Sequence, residues 1–244
     1  MKHLFLFLLL LSVYTPSFGQ VESLSNISFN GNTFNAFVVK VEPETLKKFD
    51  VLINDTGVSH QDFISGLSDT TCFLINASIS DPNCKPLGLF VKNGLTLQGP
   101  NFKDGVGNFY LKPNGALLIT ASDAIICESS QISTVPNVEL GIQSGPMLLV
   151  NGVVNPQFNP NSTNKQVRCG TGIFTNTKNE KFIVFAISNE PVSFYDFTLF
   201  FSQKFKCNVA LCLESAGCAM FFPNQESPNR DFNNMICNYL YFKI

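Results

Sequence analysis

The chain has no tryptophan and only two histidines, His3 and His60. No CxxC occurs, and the nearest cysteine spacings, Cys207 to Cys212 and Cys212 to Cys218, fit no zinc pattern. Charged residues make up just 14%, and the 16 Lys and Arg are scattered without a basic run. The electrostatic footprint that phosphate backbones demand is therefore missing, which excludes nucleic acid as a partner. Past the N-terminus no segment approaches the ~20 apolar residues of a membrane span. Asp81, Asp104 and Asp123 sit near turns, where carboxylates commonly form the turn itself, so no metal site and no cofactor is expected.

Scarcity of histidine narrows the chemistry. A Ser/His/Asp or Cys/His mechanism would have to use His60 if His3 is removed with a leader. His60 lies in VSHQDFISGL, which reads as a short amphipathic helix with the histidine on the surface near its start.

Apolar residues are plentiful: 45% of the chain is hydrophobic and 25 residues are Phe. At 244 residues this suits one domain with a sizeable core. The opening MKHLFLFLLLLSVYTPSFGQ sets Lys2 and His3 before an apolar run from Leu4 to Val13, then Ser17 and Gly19 flanking Phe18. It reads as a signal peptide, residues 1–19, so the protein is expected to be exported, periplasmic or secreted, with no membrane association after cleavage. In such a compartment eight cysteines favour disulfides, although about 105 complete pairings are open.

Short apolar runs between Gly, Asn, Pro and Asp turns predict strands at 35–41, 49–54, 71–77, 87–92, 95–98, 108–112, 116–120, 124–127, 147–151, 170–175, 182–187 and 209–213. Asn93-Gly94, Asn114-Gly115 and Asn151-Gly152 each predict a hairpin. The clearest helix is SFYDFTLFFSQKF, 193–205, with Ser193 as cap and a Phe stripe for the core. It makes a strand-helix-strand unit whose second strand ends at Glu214. The expected fold class is α+β: a single strand-rich domain with several hairpins and a few helices packed on the sheet.

Two stretches could carry chemistry. In QSGPMLLVNG the Gln143-Ser144-Gly145 turn precedes a buried strand, and in RCGTG Arg168 stands beside two glycines that could bring backbone amides onto an anion. Taken in order, NASISDPNCKPLGLFVKNG (76–94), GNFYLKPNG (107–115), QSGPMLLVNGVVNPQFNPNSTNKQVRCGTGI (143–173), FAISNEPVSFYDFTLFF (185–201) and NVALCLESAGCAMFFP (208–223) resemble the phosphodiester glycosidase domain family, in its compact bacterial exported branch.

The resemblance covers roughly residues 34–224, leaving 20–33 as an N-terminal extension and 225–244 as a tail. It implies cleavage of a sugar from a sugar-1-phosphodiester, with a small-molecule glycan or sugar phosphate as the partner. The family's Asn-Gly/Ala-Gly motif appears as Asn76-Ala77-Ser78-Ile79, and its Leu-Asp-Gly-x-Ile-Ser as Leu213-Glu214-Ser215-Ala216-Gly217-Cys218. On this reading Glu214 and Asn76 are catalytic, while Arg168, Gln143, Ser144 and Gly145 hold the phosphate. Glu190, in the loop after strand 182–187, is the candidate second carboxylate. Glu in place of Asp sets the carboxylate one methylene further out, so the alternative is an impaired homologue that binds anionic glycans or sugar phosphates without turnover.

Overall fold

Alternating apolar side chains and Asn-Gly turns fold the chain largely into antiparallel strands. The computed structural model describes residues 18–67, 72–214, 217–222 and 235–244; the expected signal peptide lies almost wholly outside them. The strands are β1 (Val21–Phe29), β2 (Asn32–Lys40), β3 (Phe49–Ile53), β4 (Cys72–Asn76), β5 (Phe90–Lys92), β6 (Leu95–Gln98), β7 (Gly115–Ile119), β8 (Ala124–Glu128), β9 (Leu140–Ser144), β10 (Met147–Val150), β11 (Val153–Val154), β12 (Cys169–Thr175), β13 (Lys181–Ser188), β14 (Val209–Glu214), β15 (Met220–Phe221) and β16 (Asn238–Lys243). Among the described residues three short α-helices accompany them: α1 (Pro43–Leu46), α2 (His60–Ser65) and α3 (Phe194–Leu199). The strand-rich expectation holds, and the short helices leave the fold mostly β.

Among the described residues the strands form three sheets, ordered β1-β2-β13-β12-β14-β10-β11, β15-β4-β16-β3 and β6-β5-β9-β7-β8. β13 and β14 both run antiparallel to β12, so they are parallel to each other with β12 between them. The connection through α3 therefore brings Ser188 and Glu214, the last residues of β13 and β14, to the same end of the sheet.

One face of the seven-stranded sheet packs against the two smaller sheets. Phe37 of β2 stacks on Phe73 of β4 at 4.2 Å between ring centres, and Met147, Leu211, Leu117 and Leu240 belong to the same buried cluster. The opposite face carries α3 and the wider π-type turn Phe200–Lys204 that extends it. Ser193 caps this helix by accepting the Asp196 N–H. Phe200 stacks on Phe34 at 4.0 Å. A side chain at Gly172 would lie 2.8 Å from both Cys207 Sγ and the Phe201 ring, so the glycine lets these aromatics approach the sheet.

Asn93-Gly94 and Asn151-Gly152 turn the β5–β6 and β10–β11 hairpins, with φ positive at all four residues. Asn114-Gly115 does not make a hairpin. The Asn114 amide instead donates to the Phe109 carbonyl, and Gly115 opens β7, where a Cβ would meet the Cys127 carbonyl oxygen at 2.6 Å. Residues 108–110, expected as strand, form a 3-10 turn.

Residues placed outside the domain by the sequence supply two further strands. β1 pairs along β2, and β16 lies between β3 and β4, with Tyr239, Leu240 and Phe242 fully buried. The apolar surface that these side chains withdraw from water explains why residues 238–243 join the core instead of trailing from it.

Candidate functional site

Asn76 ends β4, pointing at the chain that follows β14. Its Oδ1 accepts the Ala219 N–H at 2.8 Å and the Cys169 thiol at 3.7 Å, while its Nδ2 donates to the Gly217 carbonyl at 3.3 Å. Glu214 ends β14 opposite Cys169 of β12. These placements bring Asn76, Glu214 and Gly217 around one cavity of about 320 Å³, completed by Ser78, Ser80, Met235, Ile236, Cys237 and Asn238. Ser215 and Ala216 lie outside the described residues. Gly217 holds φ +76°, a conformation that suits glycine.

Asn238 was not legible as a site residue in the sequence. Its Oδ1 accepts both the backbone N–H of Ser78, at 2.8 Å, and the Ser78 hydroxyl, at 3.2 Å. Its Nδ2 donates to Ser80 Oγ at 2.8 Å. The neighbouring Cys237 is bonded to Cys84, 153 residues away in the chain. Cys218 lies with two other thiols. Cys169, Cys212 and Cys218 all direct their sulfurs at the Glu214 carbonyl oxygen, at 3.8, 3.2 and 3.2 Å. Burial raises the pKa of Cys169 and Cys212 well above the usual thiol value, so these two groups are protonated donors.

The remaining candidates are not among the residues lining this cavity. Successive side chains of a strand face opposite ways. Cys169 reaches Asn76, and Arg168 faces the α3 side, where its guanidinium lies 3.6 Å from the centre of the Phe194 ring. It is 1% exposed; its Nε donates to Val192 O at 2.9 Å and an Nη2 hydrogen to Asn164 O at 3.2 Å. Burial lowers its pKa from the ordinary arginine value. The two glycines beside it pack close to Phe197 and Phe201.

Gln143 and Ser144 belong to β9 and make no turn. Gln143 accepts the N–H groups of Leu89 and Asn101 and donates to Asn101 O and Ser129 Oγ, saturating its amide. Ser144 donates to Leu213 O at 2.9 Å, which braces the residue before Glu214. Gly145 fits where a Cβ would be 2.9 Å from Asn114 Cβ. Glu190 accepts the Thr33 N–H and hydroxyl at 2.8 and 2.9 Å, holding the β1–β2 hairpin.

His60 also departs from expectation. It begins α2 but is 1% exposed, with Nδ1 2.9 Å from the Tyr239 hydroxyl. The apolar packing of α2 on β16 carries it inward, and burial pushes its pKa down to about 4.

A family model described as phosphodiester glycosidase matches residues 69–238. YigE, an uncharacterized Escherichia coli (strain K12) protein, is 30% identical over 154 residues, covering 63% of this chain and 59% of its own length. The matched region thus spans less than two thirds of that relative. Among solved structures, a hypothetical protein from Synechocystis aligns with a TM-score of 0.52 at 13% identity, over 92% of this chain and 61% of its own. The zebrafish N-acetylglucosamine-1-phosphodiester alpha-N-acetylglucosaminidase catalytic domain, auto-inhibited by its pro-peptide, aligns with a TM-score of 0.56 at 12% identity, over 93% and 84%. At these identities the two structures speak for a shared fold.

Proposed function

Because the chain belongs to the phosphodiester glycosidase family, we propose that it is an exported hydrolase cleaving a sugar from a sugar-1-phosphodiester or related glycoside. The observation that carries this reading is the meeting of Asn76 and Glu214, distant in sequence, in one polar cavity. Glu214 acts as general acid or base at the glycosidic oxygen. Asn76 is already anchored through Oδ1 to Ala219, and offers its Nδ2 to the sugar or to a developing oxyanion. The Cys84–Cys237 disulfide supports an oxidising compartment.

A specific observation favours the second reading, binding without turnover. Glycoside cleavage commonly uses two carboxylates, yet Glu214 is the one carboxylate among the described lining residues and Glu190 is engaged with Thr33. Release of sugar from a panel of sugar-1-phosphodiesters by the purified protein separates the two. Turnover lost in Glu214→Gln supports the hydrolase, whereas an inactive wild type that still binds sugar phosphate supports the binding protein.

A further inference from the structure

Six cysteines lie outside the Cys84–Cys237 bond, and three of them meet at one atom. The sulfurs of Cys212 and Cys218 each lie 3.2 Å from the Glu214 carbonyl oxygen, and that of Cys169 lies 3.8 Å from it. Strand pairing brings them there. Cys169 opens β12 opposite Glu214, and Cys218 follows in the connection from β14 to β15.

Within this group the packing singles out one pair. Cys169 and Cys218 belong to the apolar cluster between the seven-stranded sheet and the smaller sheets, whereas Cys212 packs with the cluster under α3. The Cys169 and Cys218 thiols also hydrogen-bond one another, which sets their sulfurs in contact. The Cys84–Cys237 bond supports an oxidising compartment, where thiols that meet as the chain folds encounter disulfide oxidants.

We propose that Cys169 and Cys218 are an oxidation site, joined as a second disulfide by exchange with a disulfide oxidant when the chain folds in such a compartment. The Cys218 thiolate attacks one sulfur of the oxidant, giving a mixed disulfide and releasing one thiol. The Cys169 thiolate then attacks the Cys218 sulfur and expels the second thiol. The two protein thiols lose two electrons and two protons, and the S–S bond of the oxidant takes them up. Burial holds Cys169 protonated in the finished fold, so exchange is fast while the chain folds and slow afterwards.

The bond fastens β12 to the connection between β14 and β15. That connection holds Gly217, which lines the cavity, and Ala219, whose N–H meets Asn76 Oδ1. Oxidation therefore braces the chain beside both Asn76 and Glu214, while Cys212 stays as a thiol donor to the Glu214 carbonyl. The inference goes beyond the glycosidase reading and does not depend on it.

The test is peptide mapping of the purified protein after reduction, refolding with oxidised glutathione, and alkylation in denaturant. Trypsin with a glutamate-specific protease cuts after Arg168, Lys178, Lys206, Glu214 and Glu226. Cys169 then lies in peptide 169–178 and Cys218 in peptide 215–226, apart from Cys207 and Cys212 in 207–214. Peptides 169–178 and 215–226 should run as one species that separates on reduction, with Cys169 and Cys218 unlabelled and Cys212 labelled. The Cys84–Cys237 link in the same sample is the reference bond.

Cys212→Ser should keep the new link, and Cys169→Ser should abolish it and leave Cys218 open to the label. The wild-type map requires no variant to fold. Label on Cys169 and Cys218 in a sample whose Cys84–Cys237 link has formed overturns the proposal. So does a link from peptide 215–226 to peptide 207–214.

Discussion

Asn76 accepts the backbone N–H of Ala219 at 2.8 Å, a contact that ties the end of β4 to the chain just beyond Glu214. One side chain thus fastens β4 to the connection between β14 and β15 at the cavity, its Nδ2 donating to the Gly217 carbonyl.

Removing that side chain should cost stability and geometry together. Asn76→Ala leaves the Ala219 N–H without its acceptor, and the expected loss is about 1–3 kcal/mol in urea unfolding. Asn76→Asp keeps the acceptor, so it should recover most of that stability while still lowering activity, because the Nδ2 donor is gone. Equal destabilisation by both substitutions would count against the contact.

Glu214 is predicted to tolerate shortening better than neutralisation. Glu214→Gln should lower kcat on a sugar-1-phosphodiester by about 10²- to 10⁴-fold, the usual worth of a positioned acid or base. Glu214→Asp keeps the carboxylate and should remain active, with a pH–rate profile that still shows one carboxylate limb. A Gln variant as fast as wild type would remove Glu214 from the chemistry.

Reduction of the Cys84–Cys237 bond should weaken both the fold and the cavity. Replacing both cysteines by Ser is expected to cost about 2–4 kcal/mol in unfolding free energy. Because Cys237 precedes Asn238, KM should rise more than kcat falls. Unfolding monitored with and without a reductant, alongside kinetics, checks both parts.

His60 predicts an acid limit. Its folded pKa is depressed from 6.5 to about 4 by burial, so the unfolded chain binds the extra proton first as pH falls. The contribution is fully present above about pH 6.5 and is lost as pH falls towards 4. It amounts to about 3 kcal/mol. His60→Gln should flatten the melting temperature between these limits relative to wild type; parallel curves for the two proteins would refute the assignment.

Local signals are legible in the sequence where the residue itself demands a conformation. Asn93-Gly94 and Asn151-Gly152 turn hairpins because both positions need positive φ, and Ser193 caps α3 because its hydroxyl meets an unpaired helix N–H. Asn114-Gly115 carries the same letters, but a long-range fit against Cys127 decides its place. Asn76 and Glu214 were recognisable from their motifs. The partners that complete their cavity were not, since Ser78, Ser80 and Asn238 acquire meaning only when β16 slides between β3 and β4. Arg168 and Gln143 mislead for a related reason: polar residues beside glycines suggest an anion, whereas burial turns their donors onto backbone carbonyls and neighbouring side chains.

The position of β16 also sets a timetable. A ribosome adds β3, β4 and Asn76 long before residue 238, and Glu214 also precedes it. Until that moment β3 and β4 have no strand between them, their facing edges stay unsatisfied, and the cavity has no Asn238. A nascent chain halted at residue 237 would therefore carry Asn76 and Glu214 and still lack both the strand that joins β3 to β4 and the side chain that completes the cavity.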